Sequence, residues 1–89
     1  MLNITDTRVR LLENSDSKLK AIASITIDSA FVIHDIKVIE GEGGIFIAMP
    51  SRKGSDGLFK DIAHPINAES RAIVKDKIVE AYNKALEEI

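Results

Sequence analysis

The sequence predicts an α+β domain: an antiparallel β-meander of about four strands followed by a C-terminal amphipathic helix. Three observations predict it. Apolar and polar residues alternate through the first half with the period of two that a half-buried strand requires. Short polar or glycine-bearing breaks separate those runs at hairpin spacing. From Ala68 onwards the apolar positions switch to helical spacing, with Val74, Ile78, Ala81, Tyr82, Ala85 and Ile89 on one stripe.

Taken in order, Thr5 to Leu12 sets Thr5, Thr7, Val9 and Leu11 against Asp6, Arg8 and Arg10, the pattern of a strand with one face buried. Glu13 to Ser17 is polar and turn-like. Leu19 to Asp28 alternates most cleanly: Leu19, Ala21, Ala23, Ile25 and Ile27 face one way, and Ile22 is the single exception on the other side. Asp28-Ser29-Ala30 is short enough for a hairpin turn. Phe31 to Glu40 is rich in β-branched residues and forms a third strand, with Phe31, Ile33 and Ile39 on one face and Val32, Ile36 and Val38 on the other. Glu40 to Gly44 (EGEGG) turns the chain, because glycine supplies positive φ at little steric cost. Ile45 to Met49 is continuously apolar, as in a strand buried on both faces. A single helix covers only one face of a small sheet, so a second copy of the chain is the simplest cover for the other.

Pro50 ends the fourth strand, and the chain then makes a glycine-bearing excursion through Ser51 to Ile66. Asp56-Gly57 is a strong turn signal, which makes the excursion hairpin-like. Asn67 is placed to cap the helix from Ala68 to about Glu88, since its side-chain oxygen accepts from a first-turn N–H. Glu80 and Lys84 have the spacing of a favourable helical pair.

The bulk numbers bound the function. The 89 residues suffice for one domain, 1–89, with one modest core. With no cysteine, a disulfide framework and a thiolate metal site are both excluded. No apolar run approaches the roughly 18 residues of a membrane span, and MLNITDTRVR lacks the pattern of a signal peptide. The expectation is a soluble, cytoplasmic protein with no membrane partner. A net charge of −2 argues against a strongly basic nucleic-acid binder. The distribution says more: residues 50–66 set Arg52, Lys53 and Lys60 against Asp56 and Asp61, whereas residues 29–49 set Lys37 alone against Asp35, Glu40 and Glu42. The excursion after Pro50 is thus locally positive, by one charge.

Little in the chain points to catalysis. His34 and His64 are the only histidines, and nothing in their spacing assembles a three- or four-ligand metal site. His34 and Asp35 are neighbours in a strand, which sends their side chains to opposite faces. The EGEGG turn precedes a strand, whereas a phosphate-cradling loop opens a helix. No serine lies in a nucleophile elbow. The expectation is a non-enzyme with no catalytic residue, no metal, no cofactor and no small-molecule substrate. The aromatics Phe31, Phe46, Phe59 and Tyr82 occupy apolar positions that read as inward-facing, which favours backbone contacts over base stacking. On spacing alone, the loop after Pro50 is better explained by ordinary solvated lysines than by a binding site.

The segments AIASITIDSAFVIHDIKVIEG (Ala21 to Gly41) and GIFIAMPSRKGSDGLFKDIAHPIN (Gly44 to Asn67) resemble the SpoVG family of small bacterial septation and sporulation regulators. The resemblance implies a sheet with C-terminal helical structure, a homodimer, and site-selective binding of DNA, with RNA binding as a second activity. It also implies roles in septation, cell division and, in spore formers, sporulation. Carried onto this chain, the paired bases after Met49-Pro50-Ser51 are Arg52 and Lys53, the first candidates for nucleic-acid contact. Lys60 in the Phe-Lys-Asp step is second and Lys37 in the His-Asp-Ile-Lys step third. Gly54-Ser55 departs from the family pattern, which commonly has a threonine or serine with a proline or lysine there; a more flexible loop is expected. The turn at Glu13 to Ser17 is slightly longer. The competing expectation is a protein-interaction module of the septation machinery, with the basic loop gripping an acidic partner and no nucleic acid involved.

Overall fold

A computed structural model describes residues 2–12 and 18–88. The expected turn at Glu13 to Ser17 and the last apolar position, Ile89, lie outside the described residues. Four strands form an antiparallel meander in the order β1-β2-β3-β4: β1 (Ile4–Leu11), β2 (Leu19–Ile27), β3 (Phe31–Gly41) and β4 (Gly44–Ala48). A separate two-stranded ribbon, β5 (Ser51–Lys53) with β6 (Phe59–Asp61), leads into the helix α1 (Ala68–Glu87). The α+β meander with a C-terminal helix is as the sequence predicts, and the ribbon gives its hairpin-like excursion a definite pairing.

The core lies between one face of the sheet and one stripe of the helix. Ala21, Ala23 and Ile25 of β2 and Ile36 and Val38 of β3 meet Val74, Ile78 and Tyr82 of α1, all buried. Alternation in β2 decides which of its residues are inside. The helix lies mainly against β1, and Val74, Ile78 and Tyr82 complete the buried cluster with the inward side chains of β2 and β3. The helix begins where the sequence places it: Asn67 is extended (φ −143°, ψ 163°) and its Oδ1 accepts from the Ser70 N–H at 2.7 Å. Pro65 sits just upstream, and His64 Nδ1 donates to the Pro65 carbonyl at 3.1 Å, so this histidine belongs to the strand-to-helix corner.

The β2–β3 hairpin turns through Asp28 and Ser29, both at φ 53°, and the Ala30 N–H closes onto the Ile27 carbonyl at 3.0 Å. Left-handed backbone is costly for residues other than glycine. Here the start of β1 helps to hold it: the Asp28 N–H donates to the Asn3 carbonyl at 2.9 Å and the Ser29 N–H to Thr5 Oγ1 at 2.9 Å. The β1 register shifts between Ile4 and Asp6, so Ile4 packs towards the core and Thr5 stays exposed. This corrects the strict alternation that put Thr5 on the buried face.

β3 departs further from expectation. Ile25 pairs with Ile33 but Ala23 pairs with Ile36, which inserts one extra residue at His34-Asp35. Asp35 takes φ 62°, the left-handed conformation of a bulge, tolerated by aspartate better than by most residues. The bulge reverses the strand's phase. Ile33 therefore joins Ile36 and Val38 on the core side instead of opposing them. His34 and Asp35 line the same shallow groove on the open face of the sheet.

β4 is not buried on both faces. Ile45 and Ile47 pack towards the core, but Phe46 faces the other way and is 49% exposed. The open face of the sheet thus carries, in register, Arg10 beside Ile22, Ile22 beside Lys37 and Lys37 beside Ala48, with Ile39 beside Phe46 in the next row. The expected Glu80–Lys84 pair is not among the ion pairs seen, which include Arg8–Asp6 and Lys60–Asp56.

Candidate nucleic-acid interface

Pro50 cannot continue the sheet ladder, and its position at the end of β4 releases the chain into the ribbon. The ribbon's base is closed by the Ile62 N–H donating to the Pro50 carbonyl at 2.7 Å. Its tip is closed by the Gly54 N–H on the Leu58 carbonyl at 2.8 Å, the Gly57 N–H on the Gly54 carbonyl at 3.0 Å, and the Leu58 N–H on Asp56 Oδ1 at 3.0 Å. Gly57 takes φ 83°, the reason the Asp-Gly turn works here. Gly54 therefore takes part in the hydrogen bonding of the tip as both donor and acceptor.

Register sorts the basic residues. Arg52 lies opposite Lys60, Lys53 opposite Phe59, and Ser51 opposite Asp61. Because side chains alternate along a strand, Arg52 and Lys60 share one face of the ribbon and Lys53 shares the other with Phe59. The expected convergence of all three bases is realised for two of them. Every residue of both strands is exposed, so these charges keep their water and their reach. Lys60 Nζ lies 3.8 Å from Asp56 Oδ2, a surface contact worth about 0.2–1 kcal/mol at most. Lys37 does not belong to this cluster; it sits in the main sheet on the open face, exposed, next to Ile22 and Ala48.

Two features escaped sequence reasoning. Arg8 and Arg10 are exposed on the same open face as Lys37, and both line the groove with Ser24 and His34. Arg8 Nε is held by Asp6 Oδ2 at 3.0 Å. The alternation of β1 already set these arginines opposite the buried residues, and that was the available signal. The aromatics are the second feature. Phe59 is 71% exposed and Phe31 73%, against the inward placement expected of them. No layer lies over the ribbon, so an apolar residue there stays in solvent in the single chain. A stacking surface beside Lys53 is therefore present.

Among the described residues no group of three or more His, Asp or Glu side chains could hold a metal ion, and no helix is long and apolar enough to cross a membrane.

The geometry is that of a small α+β domain projecting a charged two-stranded ribbon. The model of the SpoVG family matches residues 2–84, and the chain belongs to that family. It is 59% identical over 85 residues to a protein of Clostridioides difficile (strain 630), covering 96% of this chain and 91% of the relative. It is 60% identical over 84 residues to one of Lachnospira eligens, covering 94% of each. A relative from Thermoanaerobacter sp. (strain X514) is 56% identical over 87 residues, covering 98% of this chain and 94% of the relative. All three carry the name "Putative septation protein SpoVG".

Proposed function

We propose that this chain is a non-enzymatic cytoplasmic regulator that binds DNA as a homodimer and acts in septation and cell division, and in sporulation where the organism forms spores. The observation that carries the reading is Arg52 facing Lys60 across an exposed ribbon, with Lys53 and Phe59 on its other face. Arg52 and Lys60 supply charge-assisted bonds to phosphate, and Arg52 has the fork to read a guanine edge. The homodimer is supported by apolar surface left open in the single chain, including Val32 and Phe46 on the uncovered sheet face. RNA is the second candidate ligand, and the exposure of Phe59 suits single strands. The names of the relatives support the role in septation.

The test is DNA binding by purified protein and by the double variant Arg52→Ala, Lys53→Ala, with folding checked by circular dichroism. The reading requires the variant to lose binding; a folded variant that binds normally removes these residues from the site. Competition between RNA and DNA of one sequence ranks the two ligands.

A second reading, a protein-interaction module with no nucleic-acid contact, draws support from Leu58, Phe59, Ile62 and Ile66, all large, apolar and exposed around the ribbon. Pull-downs with and without nuclease separate the readings, since partners held through nucleic acid are lost on digestion.

A further inference from the structure

β4 is an edge strand of the main sheet: it pairs with β3 on one side, and its outward backbone groups have no partner among the described residues. Such an edge is a template for another extended chain. Beside it runs a groove of about 410 Å³, with Phe46 to Met49 on one wall and the first half of α1 on the other. Arg71 and Lys75 of that helix line the groove, together with His64. Both are exposed, and neither has an ion-pair partner among the described residues. Asp61, at the ribbon end, is the one acidic residue of the lining.

We propose that this groove takes an acidic segment of a partner protein as a fifth strand, added to the edge of β4. Two spacings agree. Arg71 and Lys75 are one helical turn apart, roughly 5–6 Å along the helix. Alternate residues of a strand are about 6.6 Å apart and point to one face. A strand added beside β4 turns every second side chain towards α1, so carboxylates two residues apart meet Arg71 and Lys75 in turn. The intervening side chains lie on the open face beside Phe46, which is half exposed and favours an apolar neighbour. The recognised sequence is therefore an alternation of acidic and apolar residues. Backbone bonds to β4 supply affinity and the two cations set the register, the division of labour of strand addition.

The probe is a blocked synthetic peptide of about eight residues, a common strand length, alternating glutamate with valine and carrying a fluorophore. Binding is followed by anisotropy against the full chain and against the variant Arg71→Glu, Lys75→Glu. Both positions are exposed on a helix, and circular dichroism checks that the variant folds. The peptide is expected to bind the native chain, to lose about tenfold or more in affinity to the variant, the scale of one lost charge-assisted bond, and to be replaced there by a lysine–valine peptide. Methylating the amides of one alternate set should abolish binding, and methylating the other set should spare it, because only one set faces β4. Equal binding to the two protein forms, or equal effects of the two methylation patterns, would overturn the proposal. So would absence of binding up to about millimolar peptide, as when a second copy already fills the edge. Loss of DNA affinity in the charge-reversed variant, without any peptide binding, would assign the groove to nucleic acid instead.

Discussion

Arg52 and Lys60 stand directly opposite one another across the β5–β6 ribbon, eight residues apart in sequence and neighbours in space. Adjacent cations on a solvated face repel each other modestly, and a phosphate oxygen between them relieves that repulsion. If each protomer of a dimer engages three bases, about six phosphates are neutralised, which gives a log–log salt slope near −5 for duplex DNA. Removing Arg52 and Lys60 together takes four of those charges, so the slope should fall to about −2. Filter binding between roughly 50 and 200 mM salt reads this; a slope unchanged in the double alanine variant would dissociate the pair from phosphate contact. Asp56→Asn keeps an acceptor for the Leu58 N–H and removes the carboxylate near Lys60. It should raise DNA affinity by a few-fold at low salt.

The bulge at Asp35 holds a non-glycine residue at φ 62°. Asp35→Gly should be neutral or stabilising, since it removes the steric cost, whereas Asp35→Val should destabilise by about 1–2 kcal/mol. Urea denaturation distinguishes them. Equal midpoints for the two variants would mean that the strand straightens and the phase of β3 changes.

Gly41 lies under the Phe46 ring: a Cβ built on it would approach Phe46 Cε1 at 2.8 Å. Gly41→Ala should therefore displace the ring and cost about 1 kcal/mol or more. Because the obstacle is the far end of a side chain, adding Phe46→Leu should recover part of that loss. A double-mutant cycle with zero coupling would show that the ring does not determine the cost.

Ile78 is wholly buried between sheet and helix, and Asn67 caps the same helix. Ile78→Ala should cost about 2–5 kcal/mol, enough to leave a domain of this size partly unfolded at ambient temperature. Asn67→Ala should cost about 1 kcal/mol and Asn67→Asp very little, since the carboxylate also accepts from the Ser70 N–H. Thermal melts order the three variants.

The parts of the fold legible in the sequence are those where one periodicity runs unbroken against one buried face. β2 declares Ala21, Ala23 and Ile25 by alternation, and α1 declares Val74, Ile78 and Tyr82 by helical spacing. β3 was misread because a bulge is one residue long and alternation counts in twos. The hint was the interval of three from Ile33 to Ile36 followed by two to Val38, around an aspartate that tolerates left-handed backbone. Phe59 was misread for a different reason: apolarity predicts burial only where another layer exists to bury against, and the single chain places none over the ribbon. The candidate site was legible as a charge cluster but not as a geometry, since which bases share a face depends on a register that the turn at Asp56-Gly57 sets.

The ribbon joins the domain through Pro50 at one end and the His64-Pro65 corner at the other, its base tied by the Ile62-to-Pro50 bond. Its residues contribute nothing to the buried cluster beneath the helix. On the proposed nucleic-acid reading, the ribbon's recognition positions are therefore separate from the positions that build the core. Substitutions between Ser51 and Asp61 should then alter ligand preference with little penalty to folding, so that the ribbon could be re-targeted while the body stays the same.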